Sequence, residues 1–265
     1  MSLKLVTIPC RTDNYAFLIH DAATGATAVV DAPEAAPILA ALTAQGWHLS
    51  QILITHHHSD HIDGVADLVA ATGAKVVGSR ADAHRLPRLA HQVSEGDTIS
   101  VGAEIGRVID VPGHTVGHIA FHFPDSALVF TADSLMAGGC GRLFEGSPAQ
   151  MWHSLQKLAA LPGETLVCSG HEYTTSNLRF AATIEPDNAA LIARMRARPH
   201  HYVAQELVQL SQAPVWDTQH PRRLAARAVG LRVFACASPD GYVVMPGGLT
   251  RVASERDARV IAMQR

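Results

Sequence analysis

A layered α/β sandwich is the fold class this sequence predicts, on three observations. Short apolar runs such as Gln51-Ile52-Leu53-Ile54 and Thr165-Leu166-Val167-Cys168 recur, each suited in length to a buried strand. These strands fall into two groups with helical-period stretches among them, the pattern of sheets covered by helices. Several of the strands end on a histidine or an aspartate, where ligands gather in α/β sheets.

The chain opens with two strands, Ala16–Ile19 and Thr27–Val30, turned at Asp21-Ala22-Ala23-Thr24-Gly25. A helix begins at Pro37, runs through Leu42 and ends near Gly46. Strand 51–54 follows, then a histidine-rich loop. Asp63 and Gly64 open a helix through Val65, Leu68 and Val69 to about Thr72, with Gly73 as its stop. Lys75–Gly78 is a short strand. Three more strands occupy Glu104–Val111, His118–Phe123 and Ala127–Thr131. Ser147-Pro148 starts a helix with proline at its first position, and Met151, Trp152, Leu155, Leu158 and Leu161 give it an apolar face. Strand 165–168 comes next, and residues 174–183 and 188–197 read as helices. The sequence has no internal repeat or low-complexity segment.

Composition narrows the function. The 265 residues are 48% hydrophobic and 17% charged, which suits one large domain, or a domain with an appendage, around a sizeable core. A net charge of −3 without a Lys/Arg run leaves no electrostatic footprint for nucleic acid. No stretch approaches the roughly 18 apolar residues of a membrane span, and the start lacks the apolar core of a signal peptide. Cys10, Cys140, Cys168 and Cys236 show no paired spacing and read as free thiols in a reducing compartment, so the cytoplasm is expected. Sixteen histidines are several times the usual share and raise the case for metal chemistry.

The densest signal is Thr55–His61, T-H-H-H-S-D-H, directly behind strand 51–54. A tag would be terminal and unbroken; this cluster is internal, interrupted by Ser59 and Asp60, and framed by a strand. Three further strand ends each deliver one metal-capable side chain: His114 in Pro112-Gly113-His114-Thr115, Asp133 after strand 127–131, and His171 after strand 165–168. Together these supply five imidazoles and two carboxylates. That exceeds the four donors one tetrahedral ion takes and suits two ions sharing a carboxylate, roughly 3.5–4 Å apart. Nitrogen and oxygen donors without thiolate fit zinc, iron or manganese. His57 is expected to point away from its neighbours, and His118 and His122 to share one face of a strand. His20, His48, His84, His91 and His153 are read as surface or structural.

T-H-x-H-x-D-H with P-G-H-T, a strand-end aspartate and a strand-end histidine resembles the metallo-β-lactamase superfamily and its αββα sandwich. Three stretches narrow the resemblance to glyoxalase II, the hydroxyacylglutathione hydrolases: Asp13-Asn14-Tyr15, Gly138–Gly146 and Gly170-His171-Glu172-Tyr173-Thr174. It covers about residues 1–195. It implies that His56, His58 and His114 hold one divalent ion, zinc foremost, and Asp60, His61 and His171 a second, with Asp133 bridging. Arg142, Phe144 and Tyr173 match positions near the glutathione moiety. Many members carry lysine and tyrosine at the first two; Arg142 keeps the charge and Phe144 lacks the hydroxyl. The implied reaction converts S-2-hydroxyacylglutathione to glutathione and a 2-hydroxy acid by attack of a hydroxide held between the ions, with Asp60 as ligand and orienter. The implied protein is a monomer taking a small-molecule glutathione thioester, with neither nucleic acid nor membrane as partner.

The resemblance divides the chain into a catalytic domain at 1–172, the start of a helical C-terminal domain at 173–197, and an atypical segment at 198–265. The family finishes on a basic helix of the R-x-x-K-D-x-F type that holds glutathione carboxylates. This chain reads otherwise: Tyr202-Val203-Ala204-Gln205-Glu206 and Met245-Pro246-Gly247-Gly248-Leu249-Thr250-Arg251-Val252 resemble a fragment of circularly permuted ATP-grasp proteins. Arg256-Asp257 only faintly echoes the basic motif. A hairpin is expected from Leu231–Cys236 and Tyr242–Met245 around Ser238-Pro239-Asp240-Gly241. The fragment lacks a glycine-rich phosphate loop and metal-binding carboxylates, so nucleotide binding is not expected. The alternatives are another hydrolase of this fold such as a lactonase, a persulfide dioxygenase using one iron and three protein ligands, and a fusion with impaired glutathione binding.

Overall fold

The computed structural model describes residues 2–184, 212–216, 224–238 and 241–252. The chain separates into two compact units, Met1–Val203 and Ala204–Arg265.

The first unit holds two sheets. One runs in the order β1 (Lys4–Cys10), β2 (Asn14–His20), β3 (Thr27–Val30), β4 (Gln51–Leu53), β5 (Lys75–Ser79), β6 (His91–Val93). It is antiparallel from β1 to β3 and parallel from there on. The other orders β11 (Leu166–Ser169), β10 (Leu128–Ala132), β9 (Ile119–Phe123), β8 (Glu104–Asp110), β7 (Thr98–Val101). The helices are α1 (Ala35–Gln45), α2 (Ser59–Ile62), α3 (Val65–Thr72), α4 (Pro148–Ala159) and α5 (Thr174–Ile184).

Strand periodicity explains the layering. Phe17, Ile19, Val30 and Leu53 from the first sheet join Val108, Phe121, Phe123 and Phe130 from the second in the central core. Their neighbours Ala16, Leu18, Val29, Ile52 and Ile54 face the other way, onto Ile38 and Leu42 of α1 and Val65 and Leu68 of α3. On the far side, Ala120 and Val129 meet Leu158 of α4. Both faces of the central strands are therefore covered, which is why they read as unbroken apolar runs. The expected αββα sandwich is the observed one.

Local chemistry sets the element ends. Gly46 and Gly73 close α1 and α3 at φ 67° and 71°, the left-handed conformation that costs glycine nothing. Ser147 accepts from the Gln150 amide while the Gln150 side chain accepts from Ser147 N, a complete capping box ahead of Pro148.

Three strands of the first unit escaped the sequence reading. β1 carries Pro9 and pairs only with β2, an edge position where proline is tolerated; the opening is three-stranded rather than two. β6 and β7 are short, with three and four residues, too few for a period to register. The histidine loop also differs from expectation. Its second half coils into α2, so Asp60 and His61 sit on a helical turn rather than in a loop. Gly64 separates α2 from α3 because the chain there passes against Ala32–Ala35: its amide donates to Ala32 O at 2.9 Å, and a Cβ would lie 2.7 Å from Ala35 N.

In the second unit β12 (Gln212–Trp216), β13 (Leu224–Ser238) and β14 (Gly241–Val252) form an antiparallel sheet. The expected hairpin is present and longer, with Ser238 opposite Gly241. Its register shifts between Val233, opposite Gly248, and Ala235, opposite Val244. The displaced stretch contains Pro246, which has no N–H to give a ladder, and a bulge accommodates it. The helix expected at 188–197 lies outside the described residues. No helix among the described residues is long and apolar enough to cross a membrane.

Candidate metal centre

All seven expected metal donors converge on one place. His56 follows β4 by three residues, His114 follows β8, Asp133 follows β10 and His171 follows β11. Two groups of donor atoms form. His56 Nε2 lies 3.2 Å from His58 Nδ1, which lies 2.9 Å from His114 Nε2. Beside it, His61 Nε2 is 3.3 Å from His171 Nε2, with Asp60 Oδ2 3.4 Å from the latter. Asp133 faces both: Oδ2 is 3.3 Å from His114 Nε2, and Oδ1 is 3.4 Å from both His61 Nε2 and His171 Nε2.

The other nitrogen of four of these imidazoles is already committed, and this decides which nitrogen is bare. Thr55 Oγ1 donates to Asp31 Oδ2 at 2.8 Å and so accepts from His56 Nδ1 at 3.0 Å. His114 Nδ1 donates to Arg142 O at 2.7 Å. His61 Nδ1 donates to Asp31 Oδ2 at 2.8 Å, and His171 Nδ1 to Asp13 Oδ1 at 3.0 Å. Each neutral ring thus turns an Nε2 lone pair inward, as metal-binding histidines do. Lone pairs facing one another at these distances repel unless a cation or a proton stands between them.

Two further observations fit a metal. Asp133 Oδ1 is buried without a hydrogen-bond partner, which is costly for a carboxylate. Gly170 leaves room between the donors, since a Cβ there would lie 2.6 Å from Asp133 Oδ1 and 2.7 Å from His61 Cε1. Asp31, His56 and His61 also come close enough to hold an ion. Asp31, however, already accepts from Thr55 N, Thr55 Oγ1 and His61 Nδ1, so it supports ligands rather than being one.

The electrostatics of the two groups differ. Burial, with neighbouring imidazoles, pushes His56 well down and His58 to about 4, and burial lowers His114. His61 and His171 are also penalised by burial, yet carboxylates prevail: Asp31 and Asp133 raise His61 to about 10, and Asp133 and Asp60 raise His171 to about 10. Donation from His171 holds Asp60 well below the carboxylate range against its burial. Burial opposes ionisation of Asp133, but the adjacent His171 and His61 imidazoles keep it well below that range. Without metal, the neighbouring carboxylates bias both rings toward carrying a proton.

Five of the seven donors, His58, Asp60, His114, Asp133 and His171, line a cavity of about 760 Å³, whose wall includes Arg142, Phe144 and Tyr173. Phe144 sets its ring edge-on to His58 and His114, at 5.5 and 5.3 Å. Tyr173 stacks on His171 at 4.8 Å. The remaining histidines divide. His57 turns from the cluster to Asp82, Nδ1 to Oδ2 at 3.1 Å. His118 is buried and stacks on His56 at 4.5 Å. His20, also buried, stacks on Trp47. Cys10, Cys140 and Cys168 are free. The supporting residues Asp31 and Asn14 were not singled out as site residues in the sequence. Asp31 could have been found, because it directly follows strand Thr27–Val30 and obeys the same strand-end rule.

Donors gathered at the ends of strands from two facing sheets, within an αββα sandwich, define a class: the chain belongs to the metallo-β-lactamase superfamily, whose family model matches residues 12–171. Among solved structures it is similar to the BLEG-1 B3 metallo-β-lactamase, with TM-score 0.60, 21% identity, 64% of this chain and 92% of that one, a likeness of fold. It is also similar to TTHA1623 in a di-iron-bound form, with TM-score 0.56, 30% identity, and 64% and 92% coverage. Within the superfamily the chain belongs with the hydroxyacylglutathione hydrolases, glyoxalase II. It is 69% identical to that of Cereibacter sphaeroides over 195 residues, covering 74% of this chain and 76% of the relative. To that of Jannaschia sp. (strain CCS1) it is 70% identical over 192 residues, covering 72% and 75%. A second family model, circularly permuted ATP-grasp type 2, matches residues 146–253. That match begins well before the atypical segment expected from about 198, and reaches back over α4 and β11.

Proposed function

We propose that this chain hydrolyses glutathione thioesters, converting an S-2-hydroxyacylglutathione such as S-lactoylglutathione to glutathione and the 2-hydroxy acid, with two divalent ions, zinc foremost. The observation that carries this reading is Asp133, whose two oxygens face two separate donor groups. His56, His58 and His114 would hold one ion, Asp60, His61 and His171 the other, and Asp133 both. When bound, such a pair lowers the pKa of water from about 15.7 toward about 7 and polarises a carbonyl oxygen. A complete second donor group weighs against a one-iron dioxygenase.

The chain's own contribution is orientation. Asp31 and Thr55 link the two halves, since one carboxylate accepts from His61 directly and from the hydroxyl that receives the His56 proton. The Arg142 carbonyl fixes His114, so the segment presenting the Arg142 guanidinium to the cavity also orients a ligand. That guanidinium suits a glutathione carboxylate, with Phe144 and Tyr173 as apolar walls. A thiolate leaves readily, so no strong general acid is required of the cavity.

The test uses the purified full chain. Metal analysis should give two ions per chain, and release of thiol from S-lactoylglutathione should vanish on chelation and return with zinc. One ion at saturation, or no turnover by the fully loaded protein, would refute the reading.

A further inference from the structure

Apart from the Asp31–Thr55 pair, which serves both, the two donor groups are supported by different parts of the chain. Thr55 and the Arg142 carbonyl serve the His56–His58–His114 group. The turn between β1 and β2 serves the other. Asp13 Oδ1 takes the His171 Nδ1 proton at 3.0 Å. Asn14 Nδ2 donates to Asp60 twice, to its carbonyl oxygen at 3.0 Å and to Oδ2 at 3.3 Å. The same amide lies 3.5 Å from His171 Nε2.

The backbone reinforces this pairing. Tyr15 N donates to Gly170 O at 2.8 Å and Glu172 N to Asp13 O at 2.9 Å, and Asn14 forms a β-bridge with His171. Arg11 anchors the turn on the other side, through hydrogen bonds to Pro33 O and Asp63 Oδ2. Tyr173 lies flat against His171. A single turn near the amino terminus thus holds two of the three donors of one group and touches none of the other.

We propose that Asp13 and Asn14 are positioning residues for the second ion alone, setting the occupancy of the Asp60–His61–His171 site while the His56–His58–His114 site fills independently of them. This rests on the two-ion reading above. The physical ground is that removing a partner of a metal-bound imidazole frees its tautomer and ring orientation, which costs about 10–100-fold in affinity. Asp13→Ala removes the acceptor of His171. Asp13→Asn keeps an oxygen that can accept the same proton and loses the charge, so it should fall between wild type and Asp13→Ala. Asn14→Ala removes both bonds to Asp60.

The experiment titrates metal-free, full-length protein with zinc in competition with a chromophoric chelator, and reads two affinities per chain. In Asp13→Ala and Asn14→Ala one of the two binding steps should weaken by about 10–100-fold, with the other within threefold of wild type. A thermal melt of the metal-free variants reports whether the fold survives; if Asp13→Ala does not fold, Asp13→Asn carries the test. Two unchanged affinities in a folded variant overturn the proposal. So does equal loss at both sites, which would mean a general structural role. A wild type that takes only one ion overturns the two-ion reading itself, and the proposal with it.

Discussion

Replacing Asp31 by asparagine changes one buried atom, and the structure says what must follow. Asp31 is 2% exposed and accepts three hydrogen bonds, from Thr55 N at 2.9 Å on Oδ1 and from Thr55 Oγ1 and His61 Nδ1, both at 2.8 Å, on Oδ2. An asparagine has one carbonyl oxygen for these two positions. With its oxygen at Oδ2, the amide nitrogen confronts the Thr55 N–H, donor against donor, and a buried unsatisfied donor costs about 1–3 kcal/mol. With the oxygen at Oδ1, the amide donates to His61 Nδ1 and drives that ring to the tautomer with its proton on Nε2, where a metal would bind. Either way the carboxylate charge that favours a positive group at His61 is gone. Asp31→Asn should therefore lose about 1–3 kcal/mol of stability in the metal-free state and about 10–100-fold in affinity at the second site. Urea denaturation of metal-free protein and zinc titration measure the two effects. Stability within about 0.5 kcal/mol of wild type, the range of an ordinary surface substitution, together with two unchanged zinc affinities, would refute the reasoning.

Other perturbations follow from the same geometry. His56→Ala or Asp60→Ala should abolish thiol release while leaving the circular dichroism spectrum intact; more than about a tenth of wild-type kcat, a loss below about 1.4 kcal/mol, would contradict their role. Metal-free protein should be most stable near neutral pH. His61 and His171, raised from 6.5 to about 10, contribute stability that is full below 6.5 and lost as pH climbs to about 10. His58, lowered from 6.5 to about 4, contributes stability that is present above 6.5 and lost as pH falls through about 4. Melting temperatures of zinc-loaded protein should lack the alkaline decline; a metal-free Tm that rises between pH 7 and 9.5 would show the sign to be wrong. Finally, residues 198–265 carry no R-x-x-K-D-x-F string, and glutathione contacts remote from the scissile bond act largely through KM. S-lactoylglutathione should be only weakly preferred over a thioester without the glutamyl and glycyl carboxylates. A thousandfold preference in kcat/KM, about 4 kcal/mol, would show that the atypical segment does supply glutathione contacts.

The amino-acid sequence by itself determined the layers and the donors. A strand buried on both faces must be largely apolar, so β4 and β10 announce themselves; β11 reads the same way, yet it is an edge strand whose Leu166 and Val167 are exposed rather than buried. A histidine or aspartate placed just past each end is legible because it interrupts such a run. That information is local, carried by neighbours along the chain. Tertiary structure alone decided what each donor does. Asp13 meets His171 across 158 residues and Asp31 meets His61 across 30. No period or spacing encodes such pairs, because they arise where separate strand ends are brought together by the packing of two sheets. The same holds for α2: an isolated four-residue turn is marginal, and Asp60 and His61 are helical with Ala32 binding the end of the turn, donating to His61 O and accepting from Gly64 N. Asp133 was visible as a strand-end acid; that its two oxygens look toward different groups follows only from β10 lying between β11, whose end bears His171, and β9, which the loop carrying His114 enters.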